Sequence, residues 1–312
     1  MAGRRSKGSA VSADMSVGVA ARISIAAALE TMTRELQAAR AGKIRGVHQV
    51  RVATRRLRAA LELFHDALPR RAALALTEDL AELARAVGPV RDLDVLAEAI
   101  AQRGRKIDAA LEPAVATILR HVRERRSASH ALLVAALDGS GTRRLTERLA
   151  LLARGHGGAT APMSAVAADL VRPLAQKVAR AGRGVDVSAT PAALHRLRIK
   201  VKRLRYALEV LDGLGADAAR KLARRLAALQ RLLGDQRDAT NQRAWLADEM
   251  PAFVGDAEAL VAVGAIGEAL RRRAKRFLRD VPAACARIDR PKLVASVLRE
   301  LERDAPRTSK AA

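Results

Sequence analysis

Apolar positions recur at three- and four-residue spacing along most of the chain, from near Val19 to about Glu302. No stretch alternates with the two-residue period of a half-buried strand. The pattern predicts an all-α protein. Turn-forming residues interrupt it at Ala41-Gly42, Leu68-Pro69, Gly88-Pro89, Arg103-Gly104 and Asp138-Gly139. Further breaks are expected at 181–191, 212–215, Gly234, Met250-Pro251 and Arg290-Pro291. The clearest composition shift runs from Arg154 to Pro162 and reads as a linker. The expected organisation is a flexible basic tail over 1–16, a helical region over 17–303 and a flexible tail over 304–312. Within the helical region a first half, 17–154, and a second, 164–303, are joined by the linker 155–163.

The two halves repeat each other. Residues 48–64, HQVRVATRRLRAALELF, align without gaps to residues 195–211, HRLRIKVKRLRYALEVL, with eight identical positions. These are His48/His195, Arg51/Arg198, Arg56/Arg203, Leu57/Leu204, Arg58/Arg205, Ala60/Ala207, Leu61/Leu208 and Glu62/Glu209. A second pair follows, LARAVGPVRD at 83–92 and LQRLLGDQRD at 229–238, sharing Gly88/Gly234, Arg91/Arg237 and Asp92/Asp238. The offsets, 147 and 146 residues, differ by one. Two matches in register identify an internal duplication.

On a helical wheel of about 100° per residue, with His48 at the origin, Arg58, Arg51 and Arg55 fall between about 280° and 340°. Val50, Leu57, Leu61 and Phe64 gather on the opposite side, at about 160–220°. The second copy sets His195, Arg198, Lys202 and Arg205 against Leu197, Leu204, Leu208 and Leu211. Each helix therefore packs with one side and offers a column of cations with the other. The column spans roughly 15 Å at the helical rise, so several linked phosphates are needed to engage all of it. Guanidinium groups bind phosphate oxygens bidentately, and Lys adds a point charge. A solvated basic face would explain one such stripe; its retention in both copies favours a polyanion. The histidines serve either as packed or capping residues or as pH-sensitive donors to that anion.

Composition strengthens this picture. The chain has 57 Lys+Arg against 33 Asp+Glu in 312 residues, a formal net charge of +24. That field predicts an acidic partner. Half the residues are apolar but only 2% are aromatic, so the core must be built from Ala, Leu and Val. Cys285 is the only cysteine, which rules out an intramolecular disulfide or a thiolate metal cluster and fits a reducing, cytoplasmic location. No secretory signal is expected at the start, and no run approaches the 18 apolar residues of a membrane span.

In the Gly-x-x-Arg-Asp elements, Gly88 is expected to end one helix with Pro89 starting the next. Asp235 and Asp238 are expected to cap a new helix in the second half. Arg91 and Arg237 either turn toward the ligand or pair with a neighbouring carboxylate. The basic clusters at 121–126 and 271–276 are expected to be solvated faces.

The two His-headed motifs, H-x-x-R-[VI]-x-x-[RK]-R-L-R, with their downstream Gly-x-x-Arg-Asp elements, resemble the CHAD family, the conserved-histidine α-helical domain. The resemblance runs from about Val17 to about Arg303. It implies two four-helix-type bundles related by pseudo-twofold symmetry around a central basic groove or pore. It also implies binding of inorganic polyphosphate and association with polyphosphate granules. By position it implies phosphate contacts at His48, Arg51, Arg55, Arg56 and Arg58, and at His195, Arg198, Lys202, Arg203 and Arg205. The wheel puts Arg56 and Arg203 at about 80°, off the main stripe, where they suit a flank or a salt bridge. Many relatives carry an adjoining CYTH-type triphosphatase domain, for which this chain lacks the Glu-x-Glu strand pattern.

The expected function is non-enzymatic polyphosphate binding with no cofactor and no metal. Weak, non-specific nucleic-acid binding is the alternative, although five scattered aromatics make a poor stacking platform. Phosphohistidine or metal chemistry at His48 and His195 is a third reading. It lacks clustered ligands and an orienting carboxylate in the sequence.

Overall fold

A computed structural model describes residues 11–155 and 158–303. Among them are ten α-helices, four short 3-10 turns and no strand. The helices are α1 (Val17–Arg40), α2 (Ile44–Leu63), α3 (Arg70–Gly104), α4 (Glu112–Asp138) and α5 (Ser140–Arg154), followed by α6 (Met163–Arg183), α7 (Pro191–Val210), α8 (Asp217–Asp248), α9 (Ala257–Ile288) and α10 (Pro291–Arg303). Their starts are set locally. The Ser16 hydroxyl accepts from Val19 N, Thr190 accepts from Ala193 N ahead of Pro191, and Asp256 accepts from Ala259 N.

The duplication is visible in the packing. In the first half α1 packs on α2, α2 on α3 and α3 on α4, while α5 closes against α1 and α3; α6–α10 repeat that order. Between halves, α2 meets α7, α4 meets α9 and α1 meets α6. Each of these pairs joins equivalent helices, as a pseudo-twofold axis requires. Each half has five helices rather than the four expected.

The apolar seams pack as the wheel requires. Val50, Leu57, Leu61 and Phe64, with Leu197, Leu204, Leu208 and Leu211, are all at most 2% exposed. They belong to a core shared by both halves, in which α1, α2, α5 and the first part of α3 meet α6, α7, α10 and the first part of α8. A second core also crosses the halves: Leu93, Ile100 and Ile118 pack with Leu246, Phe253 and Ile266.

Three expectations are corrected. Gly88-Pro89 and Gly234 do not break the chain, because α3 and α8 run through them. Proline within a helix forfeits one backbone hydrogen bond. Here Val87 and Val90 are fully buried on either side of an exposed Pro89, and their packing holds the helix across it. Asp235 and Asp238 consequently lie mid-helix and cap nothing. Finally, the segment 11–16 is not a free tail. Val11 is buried, Met163 N and Ser164 N donate to the carbonyls of Met15 and Ala13, and Val17 N and Gly18 N donate to Ala161 and Ala159. The end of the expected linker is thus clasped to the start of the first half. The tails at 1–10 and 304–312, and linker residues 156–157, lie outside the described residues.

The cluster at 121–126 is only in part a solvated face: Arg123 and Glu124 are exposed, but its other charged residues are engaged. His121 Nε2 lies 2.7 Å from a Glu249 oxygen, and Arg125 reaches the other Glu249 oxygen at 2.8 Å, tying α4 to the second half. Arg126 donates to the buried Asp94 at 2.6 Å and to the Gly42 carbonyl at 2.9 Å. In the cluster at 271–276, Arg271 and Arg272 pair with Glu268 at the surface.

Candidate polyanion-binding site

α2 and α7 face each other across the pseudo-twofold axis, and their cationic columns meet there. Lys202 marks the meeting point. Its ammonium is pushed down to about 8, first by burial and then by Arg55, Arg198, Arg58 and Arg51. Three of those four guanidiniums come from the opposite half. No carboxylate among the described residues pairs with Lys202. Burial, with Arg205, Arg51 and Arg56 nearby, likewise holds Arg55 below its ordinary value. Arg55 Nε and the Tyr206 hydroxyl are buried and have no hydrogen-bond partner among the described residues.

Tyr206, the only tyrosine in the chain, breaks the symmetry. The Arg205 guanidinium lies over its ring at 4.8 Å, and that of Arg55, from the other half, at 5.5 Å. The equivalent position in the first half is Ala59, so one ring serves both columns. Arg205 is further tied down, donating from Nε to Gln230 at 2.8 Å and pairing with Glu209. Its counterpart Arg58 is exposed.

The Gly-x-x-Arg-Asp elements turn out to build this site. They sit where α3 and α8 pass from one core to the other, the first around Val90 and ahead of Leu93, the second between Leu233 and Ala239. A Cβ on Gly88 would lie 3.3 Å from an Arg51 nitrogen, and one on Gly234 would lie 3.3 Å from the equivalent nitrogen of Arg198. The glycines therefore let each arginine lie against the neighbouring helix. Asp92 pairs with Arg51 at 3.3 Å, and Asp238 exerts the corresponding attraction on Arg198. The remaining arginine of each element faces the histidine. Arg237 Nη1 donates to His195 Nδ1 at 2.9 Å. An arginine can only donate, so this bond leaves Nδ1 unprotonated and His195 neutral. Lost hydration, followed by Arg237, Arg198 and Lys202, holds His195 below its usual range. His48 is lowered in the same way by burial, Arg91, Arg55 and Arg51.

Of the sequence-derived residues, His48, Arg51, Arg55, Arg58, His195, Arg198 and Lys202 are thus brought into one electrostatically coupled group, with Arg205 at its side. Arg203 is diverted: its Nε lies 2.7 Å from Glu62 of the other half, the salt bridge that the wheel allowed. Arg56 is exposed beside the column. Tyr206, Gly88, Gly234, Asp92 and Asp238 were not assigned to the site from sequence. Their only signal was repetition, or in the case of Tyr206 its rarity. Glu62 and Glu209 are both engaged by arginines, and neither orients a histidine.

The CHAD domain family model matches residues 23–247. A Mycobacterium tuberculosis protein described as uncharacterized is 28% identical over 265 residues, covering 81% of this chain and 50% of that protein. The chain therefore spans about half the length of the curated relatives it matches. The crystal structure of the CHAD domain from the plant Ricinus communis superposes with a TM-score of 0.75 at 26% identity, covering 92% of this chain and 96% of that one. PptA from Streptomyces chartreusis shares the fold, with a TM-score of 0.70 at 18% identity over 86% of this chain and 99% of that one.

Proposed function

The chain belongs to the CHAD domain family, and from that membership together with the facing columns we propose that it binds inorganic polyphosphate, without turning it over, between α2 and α7. The observation that carries the proposal is Lys202 among four guanidiniums from both halves with no carboxylate partner among the described residues. Like charges held together cost stability unless counter-charge arrives. A linear chain of phosphates supplies it along both columns at once, whereas a single phosphate reaches part of one. Association with polyphosphate granules inside the cell belongs to the same proposal.

Nucleic acid fits less well. The one aromatic ring at the site, Tyr206, is buried with a guanidinium over its face, and offers bases no platform. Competition decides between the two ligands. Labelled long-chain polyphosphate should stay bound in the presence of duplex DNA at equal phosphate concentration, and displacement by DNA would sink the reading. Affinity should also climb with polyphosphate length until the chain spans both columns, and fall by about a thousandfold between 50 and 200 mM salt if about six or more phosphates are neutralised.

The pH dependence has a defined sign. In the free protein Lys202 titrates at about 8, and a bound polyanion raises it. Binding therefore takes up protons, and affinity is lost as pH rises through and beyond about 8. The histidines are lowered in the free protein, so their protonation in the complex strengthens binding as pH falls through the acid side of neutrality. Calorimetry at pH 8 in buffers of different ionisation enthalpy should show net proton uptake that Lys202→Gln abolishes. Absence of uptake in the unaltered protein would contradict the assignment.

Arg203→Gln, by contrast, should change polyphosphate affinity by no more than about threefold, because its charge is already directed at Glu62 in a half-exposed pair. A tenfold loss in a binding titration would restore Arg203 to the site.

A further inference from the structure

A second cationic cleft lies outside the α2–α7 site. It opens between the first turns of α8, the end of α9 and the start of α10, with a volume of about 900 Å³. Lys221 and Arg224 line it from α8, and Arg290 and Lys292 line it from the joint between α9 and α10. Lys221 precedes Gly234 by about 20 Å along α8, which separates this cleft from the central site. The carboxylates of the lining are already engaged. Asp217 pairs with Arg220, Asp289 lies 3.3 Å from Arg183, and Glu300 accepts from Ala218 N at 2.8 Å. Arg225 is held as well, donating to the Arg287 carbonyl at 2.6 Å. Lys221, Arg224, Arg290 and Lys292 have no carboxylate partner and no side-chain hydrogen bond among the described residues. Four like charges gathered in a concave surface, with the nearby carboxylates committed elsewhere, concentrate anions from solution.

The duplication shows that the fold does not demand these charges. At the 146-residue offset the buried Leu222 and Leu226 match the buried Leu76 and Leu80, so the packing is shared. Arg224 and Arg225, however, stand where the first half has Glu78 and Asp79, and Lys221 stands where it has Ala75. In the first half Asp79 pairs with Arg148 and so ties α3 to α5. In the second half α8 carries cations at these positions and packs on α10, the counterpart of α5, without that bridge.

We propose that this cleft is a second anion-binding site, for a small organic molecule bearing two phosphate groups. Lys221 and Arg224 take one phosphate, and Arg290 and Lys292 take the other, the guanidiniums binding oxygens bidentately. The lining also includes Ala218, Pro291 and Leu293, which suit a short carbon skeleton better than a continuous phosphate chain. A cleft of this volume accepts a ligand of that size. No aromatic ring among the described residues lines it, so it offers a nucleobase nothing to stack on. The site stands independently of the polyphosphate reading.

The test titrates the intact protein with fructose 1,6-bisphosphate by calorimetry at about 0.15 M salt. Saturable binding is expected, with glucose 6-phosphate at least about tenfold weaker because it engages a single pair of cations. Arg224→Gln combined with Lys292→Gln should weaken the bisphosphate by at least about thirtyfold, while Lys202→Gln leaves it unchanged. Both side chains of the double variant are exposed, so its melting temperature should stay where it was. Absence of saturable bisphosphate binding overturns the inference, as does a loss caused by Lys202→Gln and not by the double variant. Tripolyphosphate binding more tightly than the bisphosphate would give the cleft to inorganic chains and overturn the organic ligand. A parallel loss of long-chain polyphosphate affinity in the double variant would make the cleft an extension of the central site and overturn its independence.

Discussion

Replacing Arg55 and Lys202 together by Gln is expected to lower affinity for long-chain polyphosphate by about a thousandfold without destabilising the ligand-free protein. Each side chain offers charged hydrogen bonds to phosphate, worth about 1.5–3 kcal/mol apiece, and the pair therefore about 4 kcal/mol. Both come from opposite halves and lie at the centre of the shared charge cluster. Among the described residues neither has a carboxylate partner, and Arg55 Nε is buried without an acceptor. Removing two mutually repelling charges should leave the melting temperature unchanged or raise it. Polyphosphate should stabilise the unaltered protein in proportion to ligand occupancy and the double variant hardly at all. Binding titrations and thermal melts on the same samples read both effects. An affinity loss below tenfold would move the site elsewhere, and a large drop in melting temperature would show the two charges to be structural.

Arg126→Ala should have the largest effect on stability of any single charge removal, about 3–5 kcal/mol. The Asp94 side chain is 1% exposed, and its only salt-bridge partner among the described residues is Arg126, at 2.6 Å. One Asp94 oxygen already lacks a hydrogen bond. Truncating the arginine strands a buried carboxylate and also frees the Gly42 carbonyl at the turn between α1 and α2. For a chain of this size the loss corresponds to roughly 5–8 °C in melting temperature. Replacing both partners with apolar residues, Asp94→Leu with Arg126→Met, should recover most of it, because no charge is then left buried. Urea unfolding of the single and double variants distinguishes the outcomes. A cost below about 1 kcal/mol for Arg126→Ala would mean that water reaches Asp94.

The helical class, the duplication and the faces of α2 and α7 were legible because they are local or repeated properties. A helix of fixed period places Leu57, Leu61 and Phe64 on one side and Arg51, Arg55 and Arg58 on the other whatever it packs against. Every one of the eight seam residues is buried. The same local reasoning failed at Gly88-Pro89 and Gly234. Gly and Pro weaken a helix by a few kcal/mol at most, and flanking residues such as Val87, Val90 and Leu233, buried against other helices, outweigh them. The basic cluster at 121–126 was misread for a related reason. Its partners Asp94 and Glu249 lie 32 and up to 128 residues away, beyond any helical neighbour rule.

Two like columns of cations, each backed by an apolar seam, follow from the order of residues along α2 and α7 alone. That order also marked Arg203 as turning away, since a wheel angle depends only on the helix that carries it. That the columns face one another depends on α2 meeting α7 across an axis that no local pattern encodes. The same packing turned the Gly-x-x-Arg-Asp elements from helix ends into the cradle for Arg51 and Arg198. It also made Lys202 the most perturbed cation of the cleft. Electrostatic energy falls with distance rather than with sequence separation, and three of the four arginines that act on Lys202 lie some 145 residues away along the chain.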